Sequence, residues 1–320
     1  MKAAVVHDFS QPPRFADFTE PEAGPGERLV RVRAAALSQL VRAQASGRHY
    51  SSGSVPLIPG VDGVGLLEDG SRVYFAFPRA PFGAMAEITA IPAENCIPVP
   101  DDVDDVTAAA IANPGMSSWA ALTERAHLRA GECVLVNGAT GASGRLAIRI
   151  AKHLGAGRVI ATGRSMERMA RLKALGADIL LPLDREPDAL KKAFHEAIHG
   201  HKVDIVLDYL WGPPAECLLA AASSHGGREA EPRIRYVQIG SSAGPVINFP
   251  AAILRSSGLE LTGSGLGSLS HAGLLRAVAG VFGAIAPAGL AIATNAIPLQ
   301  QAETAWTVTS SDRLVFTLSQ

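Results

Sequence analysis

Short apolar runs broken by proline and glycine fill the first third of the chain, and apolar runs alternating with amphipathic stretches fill the middle. KAAVVH, RLVRVRAAAL, GVGLLE, RVYFAF and GAMAEITAI have the β-branched and aromatic content and the turn-rich flanks of strands. One helix, roughly residues 38–46, interrupts them. This region is expected to form a twisted or barrel-like β domain.

The pattern changes at DDVDDVTAAAIANPGMSSWAAL, a helical stretch whose acidic residues near the start suit the helix dipole. Strand-like ECVLVN, RVIATG, ADILLPL, VDIVLDYL and IRYVQIG then alternate with helix-like GRLAIRIAKHLG, SMERMARLKALG, PDALKKAFHEAIHG and PPAECLLAAASS. That alternation predicts βαβ units and a parallel sheet. It ends near LELTGSG; a helix at about 271–282, the strand AIATNAIP, a short helix from Pro298 and the strand RLVFTL follow. These last elements are expected to return to the first domain, giving residues 1–112 with 265–320 as one domain and 113–264 as the other.

Composition narrows the function. The chain has 320 residues, 48% of them hydrophobic and 18% charged, with a net charge of −1 and no basic run. A sizeable core is expected, and nucleic acid or an anionic membrane is disfavoured as the main partner. No apolar run reaches membrane-spanning length, and the first residues do not form a charged-then-apolar leader. Cys96, Cys133 and Cys217 stand far apart, which predicts a reduced, cytoplasmic setting without a cysteine-based zinc cluster.

The sharpest chemical signal is the turn NGATGASGRLAI after the strand ending at Val136. Gly138, Gly141 and Gly144 lie between a strand and a helix, with a second strand about 20 residues on. Such a turn aims helix N–H groups at an anion and lets a diphosphate sit close; otherwise it is only a tight βα turn. Gly138, Thr140, Gly141, Ala142 and Ser143 are therefore assigned to a dinucleotide. At the end of the second strand an NAD site would place an acid, but the chain has Gly163-Arg164-Ser165, with Arg168 one turn later. Guanidinium groups there suit a ribose 2′-phosphate, so the expected cofactor is NADP(H). The alternative is a solvated helix start, but arginine in a first turn opposes the dipole unless an anion meets it. Gly240 and Ser241, after the strand YVQIG, are expected to cover the nicotinamide end of the site.

Together with PGVDGVG (59–65), NPGMSSWAAL (113–122) and PLQQAETAW (298–306), the glycine turn gives the chain an order of parts that resembles the medium-chain dehydrogenase/reductase superfamily along essentially its whole length. The resemblance implies an α/β protein, a doubly wound parallel-sheet Rossmann domain plus a GroES-like β-rich catalytic domain. Where zinc-dependent members place ligands, this chain has Ser38, Val61 and no cysteine around Asn113-Pro114, and it lacks their four-cysteine lobe. It is more similar to the zinc-free quinone oxidoreductase and enoyl reductase branch, with no metal expected. It departs from that branch at Ser38-Gln39-Leu40-Val41 in the first helix and in the placing of Tyr50. LELTGSGLG resembles an edge strand used for dimer pairing, so a homodimer is expected.

Without a metal, hydride transfer suits an acceptor already conjugated, such as a quinone, enone or enoyl thioester, whose enolate is stabilised by hydrogen bonds. The expected substrate is thus a small conjugated carbonyl or quinone; the competing reading is an NADP(H)-binding sensor or structural protein without turnover. By the resemblance Tyr50 is the candidate donor and Ser117 matches a hydroxyl near the nicotinamide. Ser117 can also bond back to its own helix, and Asn113 can polarise substrate or cap the helix after it. Asp62 is expected to hold its own glycine-rich turn, PGVDGVG (59–65), together rather than to act as a base.

One motif points elsewhere. HEAIH (195–199) spells H-E-x-x-H, a zinc-protease pattern with two histidines on one helical face. It falls in a crossover helix of the predicted sheet, with Leu190, Phe194, Ala197 and Ile198 as the apolar stripe and Gly200 as the stop. Glu216 and Glu229 are the third ligands that chain distance allows. A solvated helix face is the expected reading.

Overall fold

Proline- and glycine-punctuated runs fold as strands because their apolar residues alternate with polar ones. The computed structural model of the protein describes residues 1–223, 231–308, 310 and 312–318. Strands β1 (Lys2–Val5), β2 (Arg14–Asp17), β3 (Glu27–Ala36), β4 (Asp62–Leu67), β5 (Arg72–Ala76), β6 (Ile88–Pro92) and β7 (Cys96–Pro98) come first, with α1 (Gln39–Ala45) after β3. On β3, Val30, Val32 and Ala34 are buried while Arg31 and Arg33 face outward, the period-two pattern of a half-solvated strand. Ser38 caps α1 by accepting from the Val41 amide at 3.0 Å. The short strands β2 and β7 were not foreseen from sequence.

Helix α2 (Asp105–Ala120) runs straight through Pro114 and continues into one π-helical turn, Ala121–Arg125. Then come β8 (Cys133–Asn137), α3 (Ala142–His153), β9 (Arg158–Gly163), α4 (Met166–Ala170), β10 (Ile179–Pro182), α5 (Pro187–His201), β11 (Val203–Asp208), α6 (Gly212–Ala221), β12 (Arg233–Gln238), α7 (Ala251–Arg255), β13 (Gly258–Gly263) and α8 (His271–Ala284). The predicted helix after β9 is shorter than its sequence pattern, α4 giving way to a 3₁₀ turn at Lys173–Leu175. Gly200 does not stop α5; Lys202, in the left-handed region at φ 53°, does. The six strands are all parallel, in the order β10-β9-β8-β11-β12-β13. This is the doubly wound order, and the direction of winding reverses between β8 and β11. Val134, Leu135 and Val136 of β8 are fully buried, as a strand covered on both faces requires.

The chain ends with β14 (Thr294–Pro298), α9 (Ala302–Trp306) and β15 (Arg313–Thr317). They complete a seven-stranded sheet in the order β14-β15-β3-β4-β5-β7, β6 pairing with β3 from off this path. Two compact units result, Met1–Asn113 with Ala291–Gln320, and Pro114–Leu290. The second unit thus extends past residue 264 and takes in α8, which chain order alone had assigned to the first. Packing explains this: Gly280 leaves room for Trp119, whose ring an added Cβ would strike, and Gly115 does the same for Val281. Among the described residues no helix is long and apolar enough to cross a membrane.

Candidate functional site

The carboxyl ends of β8, β9, β11 and β12 are tied by a buried polar chain. The Gly138 amide donates to Thr162 Oγ1 at 3.0 Å, Thr162 Oγ1 donates to Asn137 Oδ1 at 2.8 Å, and Asn137 Nδ2 donates to Asp208 Oδ1 at 2.9 Å. Tyr236 donates to Asp208 Oδ2 at 2.7 Å, and the amides of Leu210 and Trp211 add to the carboxylate. Asn137, Thr162 and Asp208 are wholly buried. Burial raises the Asp208 carboxyl above its ordinary range, opposed by these donors; burial and the adjacent carboxylate raise the Tyr236 phenol. None of these four side chains was singled out from sequence.

On this frame stands the glycine turn. Gly138 has φ +92°, open to glycine, and an added Cβ would meet Leu210 at 2.8 Å. Gly144 packs the helix onto the turn, since its Cβ would lie 2.5 Å from the Gly138 carbonyl oxygen. Gly141 differs: its φ is −76°, and an added Cβ would have only the Gly138 oxygen near it, at 3.8 Å. Gly141 therefore borders space that protein atoms leave open. It is also the N-cap of α3 and offers no side chain to the helix, whose first turn holds no acid. The amides of Ala142, Ser143 and Gly144 have no intrahelical acceptor, by the geometry of a helix start. Open amides, the positive end of the dipole and room over Gly141 fit a diphosphate.

Gly163, ending β9, is buried, and its Cβ would strike Thr140 Cγ2 at 2.6 Å. Its smallness thus brings the end of β9 against the turn. Arg164 and Arg168 follow, both exposed, with no ion pair or side-chain hydrogen bond to their guanidinium groups among the described residues. Ser165 caps α4 by accepting from the Arg168 amide at 3.3 Å. Gly240 is pinned to the same region, its amide donating to the Asp208 carbonyl at 3.1 Å, and exposed Ser241 follows it. The structure thus gathers the predicted cofactor residues at one end of one sheet.

Two of the candidate catalytic side chains, Asn113 and Ser117, lie on α2. Asn113 is no helix cap; it lies inside α2, half-buried, one turn before Ser117. Ser117 Oγ donates back to the Pro114 carbonyl at 2.9 Å, as a helix-interior serine does. Its neighbour Ser118, not singled out from sequence, lies 2.8 Å from the Tyr209 hydroxyl and 3.2 Å from the Ser143 carbonyl. Tyr50 is 76% exposed and its ring lies 4.1 Å from that of His49.

From its own turn, PGVDGVG (59–65), Asp62 reaches across to the neighbouring strand β5. It opens β4, 3% exposed, and accepts from the Tyr74 hydroxyl at 2.9 Å. Burial pushes its carboxyl from 3.8 up to about 6, against the pull of Tyr74 and of Arg313. Since the folded protein holds this proton more tightly than the unfolded chain, the stability Asp62 contributes is present at low pH and lost as pH rises from about 4 to about 6. Asparagine does not titrate. In urea unfolding, the stability of the wild type minus that of Asp62→Asn is therefore expected to fall by about 2 kcal/mol from about pH 4 to pH 7. A pH-independent difference would refute the shift.

On α5 the residues of the zinc-protease pattern have protein partners. His195 Nδ1 lies 3.1 Å from the Ala221 carbonyl, Glu196 stands 4.0 Å from Lys192, and Glu216 accepts from the Asn248 amide at 2.7 Å. The two histidines are half-buried rather than solvated, because α5 packs against α6. Glu229 lies outside the described residues. Among the described residues no three His, Cys, Asp or Glu side chains come together as a metal-binding group.

A doubly wound nucleotide-binding unit, carrying an uncapped glycine turn at its switch point and joined to a largely antiparallel β unit, defines a two-part oxidoreductase-type fold. The family model of the zinc-binding dehydrogenases matches residues 142–279. A probable NADPH-dependent quinone reductase, tdiC, of Emericella nidulans is 28% identical over 96% of each chain. The quinone oxidoreductase of Thermus thermophilus, solved alone and with NADPH, superposes with a TM-score of 0.80 at 29% identity, over 99% of this chain and 100% of that one. A mycobacterial quinone oxidoreductase gives a TM-score of 0.85 at 25% identity, with the same coverage. These likenesses support the medium-chain dehydrogenase/reductase superfamily, and within it the quinone oxidoreductase-like branch.

Proposed function

We propose that this protein is an NADPH-dependent reductase of small conjugated carbonyls, quinones among them, that works without zinc. The observation that carries the reading is the open α3 N-terminus beside Gly141, with the guanidinium groups of Arg164 and Arg168, unpaired among the described residues, after β9. The names of the relatives, quinone reductases and quinone oxidoreductases dependent on or solved with NADPH, support it.

When bound, the nicotinamide supplies the hydride. The amides of Ala142, Ser143 and Gly144 hold the diphosphate, and Arg164 and Arg168 hold the ribose 2′-phosphate. Gly240 and Ser241 cover the other end, at the carboxyl edge where ligands of this sheet type gather. Tyr50 is assigned the donor that steadies the developing enolate, with Asn113 orienting the substrate. Ser117, bonded to the Pro114 carbonyl and beside the Tyr209 hydroxyl, is assigned a place near the nicotinamide. The side chains at the family's metal positions, Ser38 and Val61, favour an acceptor that is already electron-poor. Three free cysteines support a reducing cytoplasmic setting, and the outermost position of β13 supports a homodimer paired along that strand.

Loss of NADPH absorbance with a panel of enones, enoyl thioesters and quinones tests the proposal. Turnover is expected with NADPH in preference to NADH. Tight NADPH binding without turnover across the panel would instead favour a sensor.

A further inference from the structure

On the face of β12 and β13 that carries Arg233, Arg235, Glu260 and Thr262 lies a cavity of about 150 Å³, closed from the other side by the π-helical turn and the residues after it, Arg125 to Arg129. That volume is about five times the ~30 Å³ share of one water. Arg235 is three residues, about 10 Å, back along β12 from Gln238, so the cavity is separate from the strand ends that carry the glycine turn.

Its chemistry is cationic. Arg233 is neutralised by Glu260 through bonds of 2.6 and 2.8 Å, and Arg235 by Glu132 at 2.5 Å. Arg125 and Arg129 form no ion pair among the described residues. Among the described residues, two guanidinium charges are left without an acidic partner. The Nε atoms of both Arg125 and Arg235 are buried without an acceptor. A buried donor of this kind is destabilising unless something meets it.

The backbone is bent to build this wall. The Ala126 amide reaches back to Ala121 at 2.8 Å and the Leu128 amide to Leu122 at 2.8 Å, widening the last turn. His127 is left-handed at φ 49°. That distortion turns the carbonyls of Ala126 and His127 onto Arg235 Nη1, at 2.7 and 3.2 Å, and holds its guanidinium in place. π turns and left-handed non-glycine residues concentrate at binding sites.

We propose that this cavity binds a small phosphate-bearing dianion, at a site distinct from that of the coenzyme. Two free positive charges match a dianion, and convergent guanidinium N–H groups match its oxygens. The ligand is either free phosphate or a phosphomonoester, and titrating inorganic phosphate and glycerol phosphate separately tells the two sources apart.

The test uses the full chain at constant ionic strength, with chloride as control. Saturable rise of the thermal midpoint with inorganic phosphate is expected. In Arg125→Gln/Arg129→Gln the apparent affinity should fall by about tenfold or more, and in Arg164→Ala/Arg168→Ala the rise should persist. No rise in the wild type, survival of the rise in the first variant, or its loss in the second overturns the proposal. If the first variant does not fold, ¹⁵N-arginine-labelled wild type decides: side-chain Nε–H resonances must shift saturably with phosphate, and unmoved signals refute the site. A change of oligomeric mass in the first variant, with no phosphate effect in the wild type, would assign the pocket to a contact between copies and also overturn it.

Discussion

Arg164→Ala is expected to weaken NADPH binding by about ten- to a hundredfold while leaving NADH nearly unchanged, because a charge-assisted hydrogen bond contributes about 1.5–3 kcal/mol. Arg164 is exposed, has no side-chain partner among the described residues to lose, and follows a strand end fixed by the Gly163–Thr140 approach. The substitution therefore removes a ligand contact without disturbing the fold. Adding Arg168→Ala should deepen the loss. Calorimetry with both nucleotides measures it, and equal weakening of both would show that Arg164 does not read the 2′-phosphate.

Gly141→Asp should separate stability from binding in opposite directions. At the N-cap of α3, with φ −76° and ψ 170°, aspartate suits the backbone and supplies the acceptor that the helix lacks. The variant is expected to be more stable by a few tenths of a kcal/mol. Its carboxylate would claim the amides and the positive dipole end that a diphosphate needs, so coenzyme affinity should drop by about a hundredfold or more. Gly144→Ala is the contrast: a methyl 2.5 Å from a backbone oxygen has nowhere to go, and about 1–3 kcal/mol of stability is lost. Thermal unfolding beside nucleotide titration distinguishes them. Gly141→Asp binding NADPH normally would remove α3 from the site.

The alternation of strand and helix was legible because each strand of the parallel sheet is a short apolar run and each crossover helix carries one apolar stripe. The glycine turn was legible because its three glycines have three local reasons: a positive φ at 138, open space at 141 and a close helix contact at 144. The buried chain from Gly138 to Tyr236 was missed because its members are separated by 24 to 71 residues along the sequence. A signal was nevertheless present. ECVLVN and VDIVLD both end an apolar run on a single polar residue, and Asn137 and Asp208 are register partners. Of the two readings of Asn113, the helix cap fails because α2 carries Pro114 in its interior, whereas proline usually starts or breaks a helix.

Strand β15 pairs with β3, Val315 facing Ala36. On a ribosome the nucleotide-binding unit has its complete sequence once residue 290 has emerged, but the unit holding residues 1–113 must also wait for residues 291–320. At synthesis rates of ~5–20 residues per second that delay is about 1.5–6 s, during which Ala34–Ala36 at the end of β3 lack their partner strand. Chaperone capture of nascent chains should therefore concentrate on the segment translated first.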